Sequence, residues 1–361
     1  MPRVLFLTRY TEEGSSSRYR VYQYLPFYSA AGFGLEVQPF HTTEYVQRFS
    51  GSRDWRLKAQ QGAYYARRAW QRLRAVWRSP AFDLVVVEGE VFPFAPAWLD
   101  RLLWLRNRNV VVEYDDALHV YYGEMLDSAF LRRLLGGKVA TLMRLSKAVI
   151  VGNAYLADYA RKHSSRVEVV PTTVDTRRYR VREPHTITGG TVTLGWIGSP
   201  VTAPYLTSLG PALAALAQRR RVRLKVIGAS GFSLPGVQVL AVPWHLDTEV
   251  AELQSCDIGL MPLDDDAYAR GKCGLKILQY FAVGIPAVAS PVGVNAELIQ
   301  DGLNGFLAGD REAWVARLTQ LIDDPTLRQR MGQAGRQRVE QRYALEGTAP
   351  RLVALLRELS G

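Results

Sequence analysis

The chain has 361 residues, of which 48% are hydrophobic and 22% charged, an ordinary globular balance in a length that favours two cores over one. Its two cysteines, Cys256 and Cys273, lack metal-ligand spacing, which argues against a disulfide framework and fits a reducing cytoplasm. No apolar run approaches the roughly 20 residues of a membrane span, and the net charge of +11 is unevenly spread.

The opening segment MPRVLFLTRY has too short an apolar core for a signal peptide, and VLFLT (4–8) reads as a first buried strand. The loop Gly14 to Arg20 (GSSSRYR) follows, ahead of a helix expected over 18–31. A small, polar, Gly-containing loop can approach a phosphate, so Gly14, Ser16 and Arg18 are candidate ligand contacts, with Arg18 meeting an acidic group. The competing reading is a Ser N-cap with solvated arginines.

Between Arg53 and Arg78 stand Arg53, Arg56, Lys58, Arg67, Arg68, Arg72, Arg74 and Arg78 against one acid, Asp54, a local net of +7. Trp55, Tyr64, Tyr65, Trp70 and Trp77 are interleaved with them. A basic, aromatic-rich helix over 56–78 suits an anionic membrane surface. The plainer reading is a solvated helix with some aromatics in the core. No nucleic-acid motif accompanies the charge.

The runs LVVVE (84–88), VVVEY (110–114), AVIVG (148–152) and VEVVP (167–171) alternate with helical patterns at 94–106, 127–145 and 154–162. Continuous Val/Ile runs mark strands covered on both faces, and strand–helix alternation implies a doubly wound α/β sheet. Glu88 and Glu90 follow one strand, and Asp115, Asp116 and His119 follow the next. At a strand end such groups can bind a ligand, with Asp116 gripping its hydroxyls or orienting it. For Asp115 and Asp116 the alternative is helix capping.

The Pro- and Gly-containing stretch Pro171 to Gly190 reads as a link, placing a first domain over 1–184 and a second over 185–345. The second alternates again: TLGWIG (193–198), a helix at 204–219, LKVIG (224–228), VQVLAV (237–242), a helix near 247–255, IGLMP (258–262), AVAS (287–290) and GFLA (305–308). Helices follow from Arg311, and a last one (349–359) lies in a segment, 346–361, that can return to the first domain. The carboxyl edges of the two sheets are expected to face each other across a cleft.

The most informative stretch is KCGLKILQYFAVGIPAVASPVGVNAELIQDGLNGFL (272–307). Gly274 opens a helix, and Lys272 and Lys276 lie one turn apart. Backbone N–H groups at Gly274 and Leu275 with two cations beside them make an anion site. Lys272 and Lys276 are the candidate catalytic cations, stabilising negative charge on a bound phosphate. Gly198 and Ser199 after the first strand of this domain offer close backbone approach and a hydroxyl. Asp264–Asp266 resembles a metal-binding Asp-x-Asp but reads as a surface loop; no zinc spacing is apparent, and no cofactor is expected.

With these residues in place, LGWIGSP (194–200), KVIG (225–228), DIGLMPL (257–263), GKCGLKILQYFAVGIPAVASPVGVNAELIQDGLNGFLA (271–308) and DPTLRQRMGQAGRQRV (324–339) resemble the retaining nucleotide-sugar glycosyltransferases of family 4. VIVGNAYLADYA (149–160) and VVPTTVDTRRY (169–179) resemble that family's last N-domain strand and its linker. The resemblance implies a GT-B fold of two facing Rossmann-like domains and metal-independent, hexosyltransferase-like transfer from a nucleoside-diphosphate sugar to a hydroxyl acceptor. It also implies that the Gly14 loop borders the diphosphate, that Glu297 lies near sugar or phosphate, and that Gln279 accepts from the ribose. The family's paired glutamates are Gly271 and Gln279 here, and its Arg and Lys after the first C-domain strand are replaced near Ser199 and Pro204. With the basic 53–78 segment, the expected setting is envelope polysaccharide assembly on a lipid-linked acceptor, on the cytoplasmic face of the membrane. Two alternatives remain: a GT-B-fold nucleotide-sugar epimerase, and a sugar-nucleotide-binding protein of weakened activity.

Overall fold

Two six-stranded sheets, each wholly parallel, carry the chain. The structure, a computed structural model, describes residues 1–42, 55–183 and 190–361. Arg53 and Asp54, and the link residues Pro184 and Gly189, lie outside the described residues, as do the side chains at 55–59.

The first sheet contains β1 (Arg3–Thr8), β2 (Gly34–Pro39), β3 (Leu84–Glu88), β4 (Val110–Tyr114), β5 (Ala148–Val151) and β6 (Val167–Val169), in the order β2-β1-β3-β4-β5-β6. The second contains β7 (Val192–Ile197), β8 (Val222–Ile227), β9 (Val239–Val242), β10 (Ile258–Met261), β11 (Ala287–Ala289) and β12 (Gly305–Leu307), in the order β12-β11-β10-β7-β8-β9. Both orders reverse once, between β1 and β3 and between β7 and β10, as in doubly wound Rossmann-like sheets. The unbroken apolar runs of β3 and β4 are buried along their whole length.

By internal contacts the chain divides into two compact units. The first holds Met1–Thr172, Gly271–Cys273 and Thr348–Gly361, and the second holds Thr173–Arg270 and Gly274–Gly347. In the second, Trp196, Leu224 and Leu260 from the strands pack with Leu213, Trp314, Leu318 and Met331 from covering helices in one core.

Several expected helices are divided. The 18–31 segment is Ser15–Arg20, a 3-10 turn at Tyr22–Tyr24, and Leu25–Ala30 with Pro26 in its first turn. The 127–145 segment breaks at Gly136 and Gly137 into Ala129–Leu135 and Lys138–Leu145. Gly136 has no room for a side chain there, since a Cβ would lie 2.7 Å from the Arg132 carbonyl oxygen. The 204–219 segment restarts at Gly210 with Pro211 in its first turn. The last helix begins earlier than its apolar pattern, at Leu345, and runs to Ser360 with Pro350 inside it. Strand β2 has no counterpart in the sequence reading, because its half-buried residues GLEVQP mix apolar and polar types at the sheet edge.

Candidate active site

In the first unit the order reversal puts the ends of β1 and β3 side by side, with Leu7 in register with Val87. Ligands of open α/β sheets bind outside such carboxyl ends. Glu88 ends β3, buried, and accepts hydrogen bonds from Ser17 Oγ (2.6 Å) and the Arg9 amide (3.1 Å). Burial, with the Asp115 charge nearby, pushes its carboxyl up to about 7. Ser16 donates to Asp115 Oδ2 at 2.6 Å, so Ser16, Glu88 and Asp115 come together at this edge. Gly89 turns the chain there with φ +73.

Gly271–Cys273 belongs to the same unit. Lys272 Nζ lies 3.8 Å from Asp116, an ion pair at the end of β4. Asn153 Nδ2 donates to the carbonyls of Gly271 (2.9 Å) and Lys272 (3.1 Å), and Cys273 Sγ donates to the Asp115 carbonyl at 3.0 Å. The backbone around Lys272 is thereby fixed. Gly271 packs so tightly that a Cβ would come within 2.6 Å of Ala117 Cβ, which explains why no larger residue stands there.

Other candidates in this unit are held by neighbouring groups. Arg18 is buried; its guanidinium donates to the Glu12 and Glu13 carbonyls and lies over Tyr19, closing the loop that Gly14 begins. Gly14 is tied to Thr11, and a Cβ on it would overlap Tyr10. Glu90 is buried against Lys138 Nζ (2.5 Å) and accepts from Tyr122 Oη (2.6 Å), while Lys138 also pairs with Asp100 at 3.1 Å. His119 stacks on Tyr159 (3.7 Å between centroids), and burial, with His163 and Lys162 nearby, pushes its pKa down to about 4. It therefore stands neutral in an aromatic cluster with Tyr159 and Tyr155. Arg9, Lys138 and the buried Arg20–Glu113 pair (2.6 Å) had no place in the sequence reading. Only Arg9 carries a local signal, as the first residue past β1.

The second unit's reversal, between β7 and β10, is built differently. Gly198 follows β7; a Cβ there would lie 2.5 Å from the Trp196 ring, and a Cβ on Gly228, at φ +96, would lie 2.4 Å from the Gly198 carbonyl oxygen. Glycine at both positions keeps two loops in backbone contact. Ser199, exposed, leads into the 3-10 turn Pro200–Thr202. Gly274 opens the helix Leu275–Ala282 in the left-handed conformation (φ +70) with no side-chain cap. The first N–H groups of a helix have no intrahelical acceptor and attract anions. Leu275 and Lys276 form the half-buried first turn, and Lys276 Nζ lies 4.4 Å from the centre of the Trp196 ring.

Gln279 lies one turn on, buried, and its amide donates to Tyr179 Oη at 3.0 Å. Tyr179 in turn bonds Glu249, which also accepts from Trp244 Nε1 at 2.6 Å. Glu297 is exposed in the short helix Asn295–Leu298, next to the Gly293 turn (φ +53). Asp264–Asp266 is an exposed loop, with Asp265 paired to Arg270 (2.7 Å) and Asp266 capping Ala269. Among the described residues no group of His, Cys, Asp and Glu is arranged to hold a metal ion.

The basic helix, Trp55–Arg78, needs a correction. Arg68 and Arg72 do not face solvent: both are buried, Arg68 donating to the Phe40 carbonyl (2.6 Å) and Arg72 to those of Thr8 (2.6 Å) and Gln38 (3.1 Å). The outer face keeps Arg67, Arg74 and Arg78 with Trp70 and Trp77, the two indoles 55% and 66% exposed. Arg74 lies over Trp70, and Arg106 of the helix Ala97–Arg106 over Trp77. Among the described residues no helix is long and apolar enough to cross a membrane.

Residues 192–324 match the model of the family described as glycosyl transferases group 1. A D-inositol 3-phosphate glycosyltransferase of Pseudarthrobacter chlorophenolicus is 28% identical over 213 residues, covering 52% of this chain and 48% of that relative. The chain thus spans about half of that curated relative's length. Among solved structures, the sucrose-phosphate synthase of Thermosynechococcus elongatus superposes with a TM-score of 0.71 at 14% identity, covering 99% of each chain. The Anabaena protein HepE, crystallised with UDP-glucose, gives 0.69 at 15% identity, covering 99% of this chain and 100% of that one. The fold is that of the GT-B glycosyltransferases, and residues 192–324 carry the group 1 glycosyltransferase pattern.

Proposed function

We propose that the chain is a retaining glycosyltransferase of family 4 that moves a sugar, of the hexose type, from a nucleoside diphosphate to a hydroxyl acceptor. One observation carries this: the left-handed Gly274 start of the helix Leu275–Ala282, with Lys276 in its first turn, lies inside the segment that matches group 1 glycosyltransferases. A diphosphate seated on that helix start meets backbone N–H groups and an ammonium group. Gly198 permits close backbone approach to the same anion. As the glycosidic bond breaks, negative charge grows on the leaving phosphate, and these groups stabilise it more than they stabilise the ground state.

The acceptor belongs to the first unit, where Ser16, Glu88, Asp115 and Asp116 line the β1–β3–β4 edge. Transfer runs by front-side displacement, with the departing phosphate helping to take the acceptor proton and no metal at the chemical step. The acceptor is a glycan or a lipid-linked one, in envelope polysaccharide assembly, and the Trp70–Trp77 face rests on anionic lipid at the inner surface of the membrane. HepE was crystallised with UDP and with UDP-glucose, which favours a uridine donor.

A second reading has its own support. Gln279, one of two positions where the resemblance places glutamates, is buried and bonded to Tyr179. Without that carboxylate the protein would bind sugar nucleotides with weakened activity. Thermal-shift measurements with UDP, GDP, UDP-glucose and GDP-mannose test the main reading. Binding to the native state raises the melting temperature, by about 2.7 kcal/mol of stability at a hundredfold excess over Kd. A rise with one nucleotide family, and release of its diphosphate when acceptor lipid is added, supports transfer. A rise without any release supports the second reading, and no rise with any of the four contradicts both.

A further inference from the structure

We propose that the first unit holds an acceptor subsite for an amphiphilic anion: Arg9 takes a phosphate group, and the ridge Phe94, Met125, Phe130 and Leu134 takes the alkyl or prenyl chain attached to it. The inference rests on the glycosyltransferase reading and names the acceptor class.

Arg9 stands at the order reversal, directly after β1. Its backbone is held on both sides: its N–H donates to Glu88, and its carbonyl accepts from the His41 amide at 2.8 Å. The other arginines of this edge are committed. Arg18, Arg68 and Arg72 donate to backbone carbonyls, and Arg20 pairs with Glu113. Arg9 differs. Its buried Nε has no hydrogen-bond partner, as is also true of Arg18 and Arg72, but among the described residues its guanidinium in addition donates to no carbonyl and makes no ion pair, with only a contact over the Tyr10 ring at 5.8 Å. Burial opposes its charge, but Tyr10, Glu90, Tyr122 and Glu88 together hold it protonated. A half-buried, charged fork with an unused donor is what a bidentate phosphate needs.

Tyr122 joins this arginine to the ridge. Its hydroxyl donates to Glu90, accepts from the Phe94 amide at 3.3 Å, and its ring lies 6.0 Å from that of Phe94. Phe94 has φ +59, the one positive value at a non-glycine among the described residues. Such strain persists only where the surroundings enforce it. Here it sets an aromatic ring 43% exposed on Tyr121 and Tyr122. Met125 ends the turn Tyr121–Met125, and the helix Ala129–Leu135 packs against that turn with Phe130 72% and Leu134 42% exposed. An apolar strip of this kind facing water marks a binding surface. A strip near an unpaired guanidinium complements a chain with an anionic head; a flat bilayer would have no use for a half-buried guanidinium whose Nε is shielded from water.

The test is calorimetric titration of the full chain with octyl phosphate below its micelle concentration, against octyl glucoside and inorganic phosphate, with UDP titrated into the same wild-type preparation. Octyl phosphate is expected to bind at least tenfold more tightly than either control. Arg9→Gln, and separately the surface pair Phe130→Ser with Leu134→Ser, should each weaken it tenfold. The surface pair decides if Arg9→Gln fails to fold. Octyl phosphate binding no better than octyl glucoside, or unchanged in the folded variants, overturns the subsite. If UDP still binds in that case, the donor reading stands; if UDP itself fails to bind, the transferase reading falls and the acceptor assignment falls with it.

Discussion

At the ends of β1, β3 and β4, Glu88, Glu90, Glu113, Arg20 and Lys138 are buried and hydrogen-bonded or ion-paired, whereas at the ends of β7 and β8 Gly198 and Gly228 bring bare backbone together. The two sheets share a topology, so the contrast comes from what each strand end carries. Backbone N–H groups and a helix start suit a diphosphate, which is much the same in every nucleotide donor. Fixed, buried side chains suit a partner that must be told from its analogues, because a mismatched acceptor leaves buried polar groups unsatisfied. Under the proposed function, the β7–β8 edge suits the role of a general anion seat and the β1–β3–β4 edge that of a discriminating surface.

The contrast can be broken most sharply at Lys138. Its ammonium is shared by Glu90 and Asp100, all three buried. Lys138→Met strands two carboxylates and is expected to cost about 3–5 kcal/mol of stability, read from urea unfolding. A loss below about 1 kcal/mol would mean that this edge does not depend on charge pairing.

A smaller effect sharpens the same point through pH. Burial raises Glu88 from 4.5 to about 7, so the folded protein holds this proton where the unfolded chain has lost it. Its contribution therefore destabilises progressively as pH climbs from about 4.5 to about 7, and is level above that. Glu88→Gln removes the titration. The drop in unfolding free energy between about pH 5 and about pH 8 should shrink by on the order of 2 kcal/mol relative to wild type. An unchanged slope would place the titration elsewhere.

Much of the frame was legible because a strand buried on both faces writes itself as a Val/Ile run, as β3 and β4 do. Strand β2 was not, since an edge strand needs no such run. Gly274 and Lys276 could be read locally, because a helix start and its first turn are adjacent in sequence. The pairing of Lys138 with Glu90 and Asp100 could not, because each partner is dozens of residues away and only the sheet order brings them together. Arg68 and Arg72 misled for a related reason. A row of arginines on a helix looks solvent-facing until the carbonyls of Thr8, Gln38 and Phe40 are seen to accept from them. Arg9 drew no reading although it directly follows β1, whereas Arg18 stood out in a Gly-containing loop, and only the structure shows that its guanidinium donates to the Glu12 and Glu13 carbonyls.

The most direct trial of the proposed donor seat is calorimetric titration of UDP into the wild-type chain and into Lys276→Ala. Removing an ammonium from a seat that backbone otherwise forms should weaken UDP by about tenfold to a hundredfold, in the range of a charge-assisted hydrogen bond, with the melting temperature nearly unchanged. Equal UDP affinity in the two proteins would contradict a diphosphate seated at the start of the helix Leu275–Ala282.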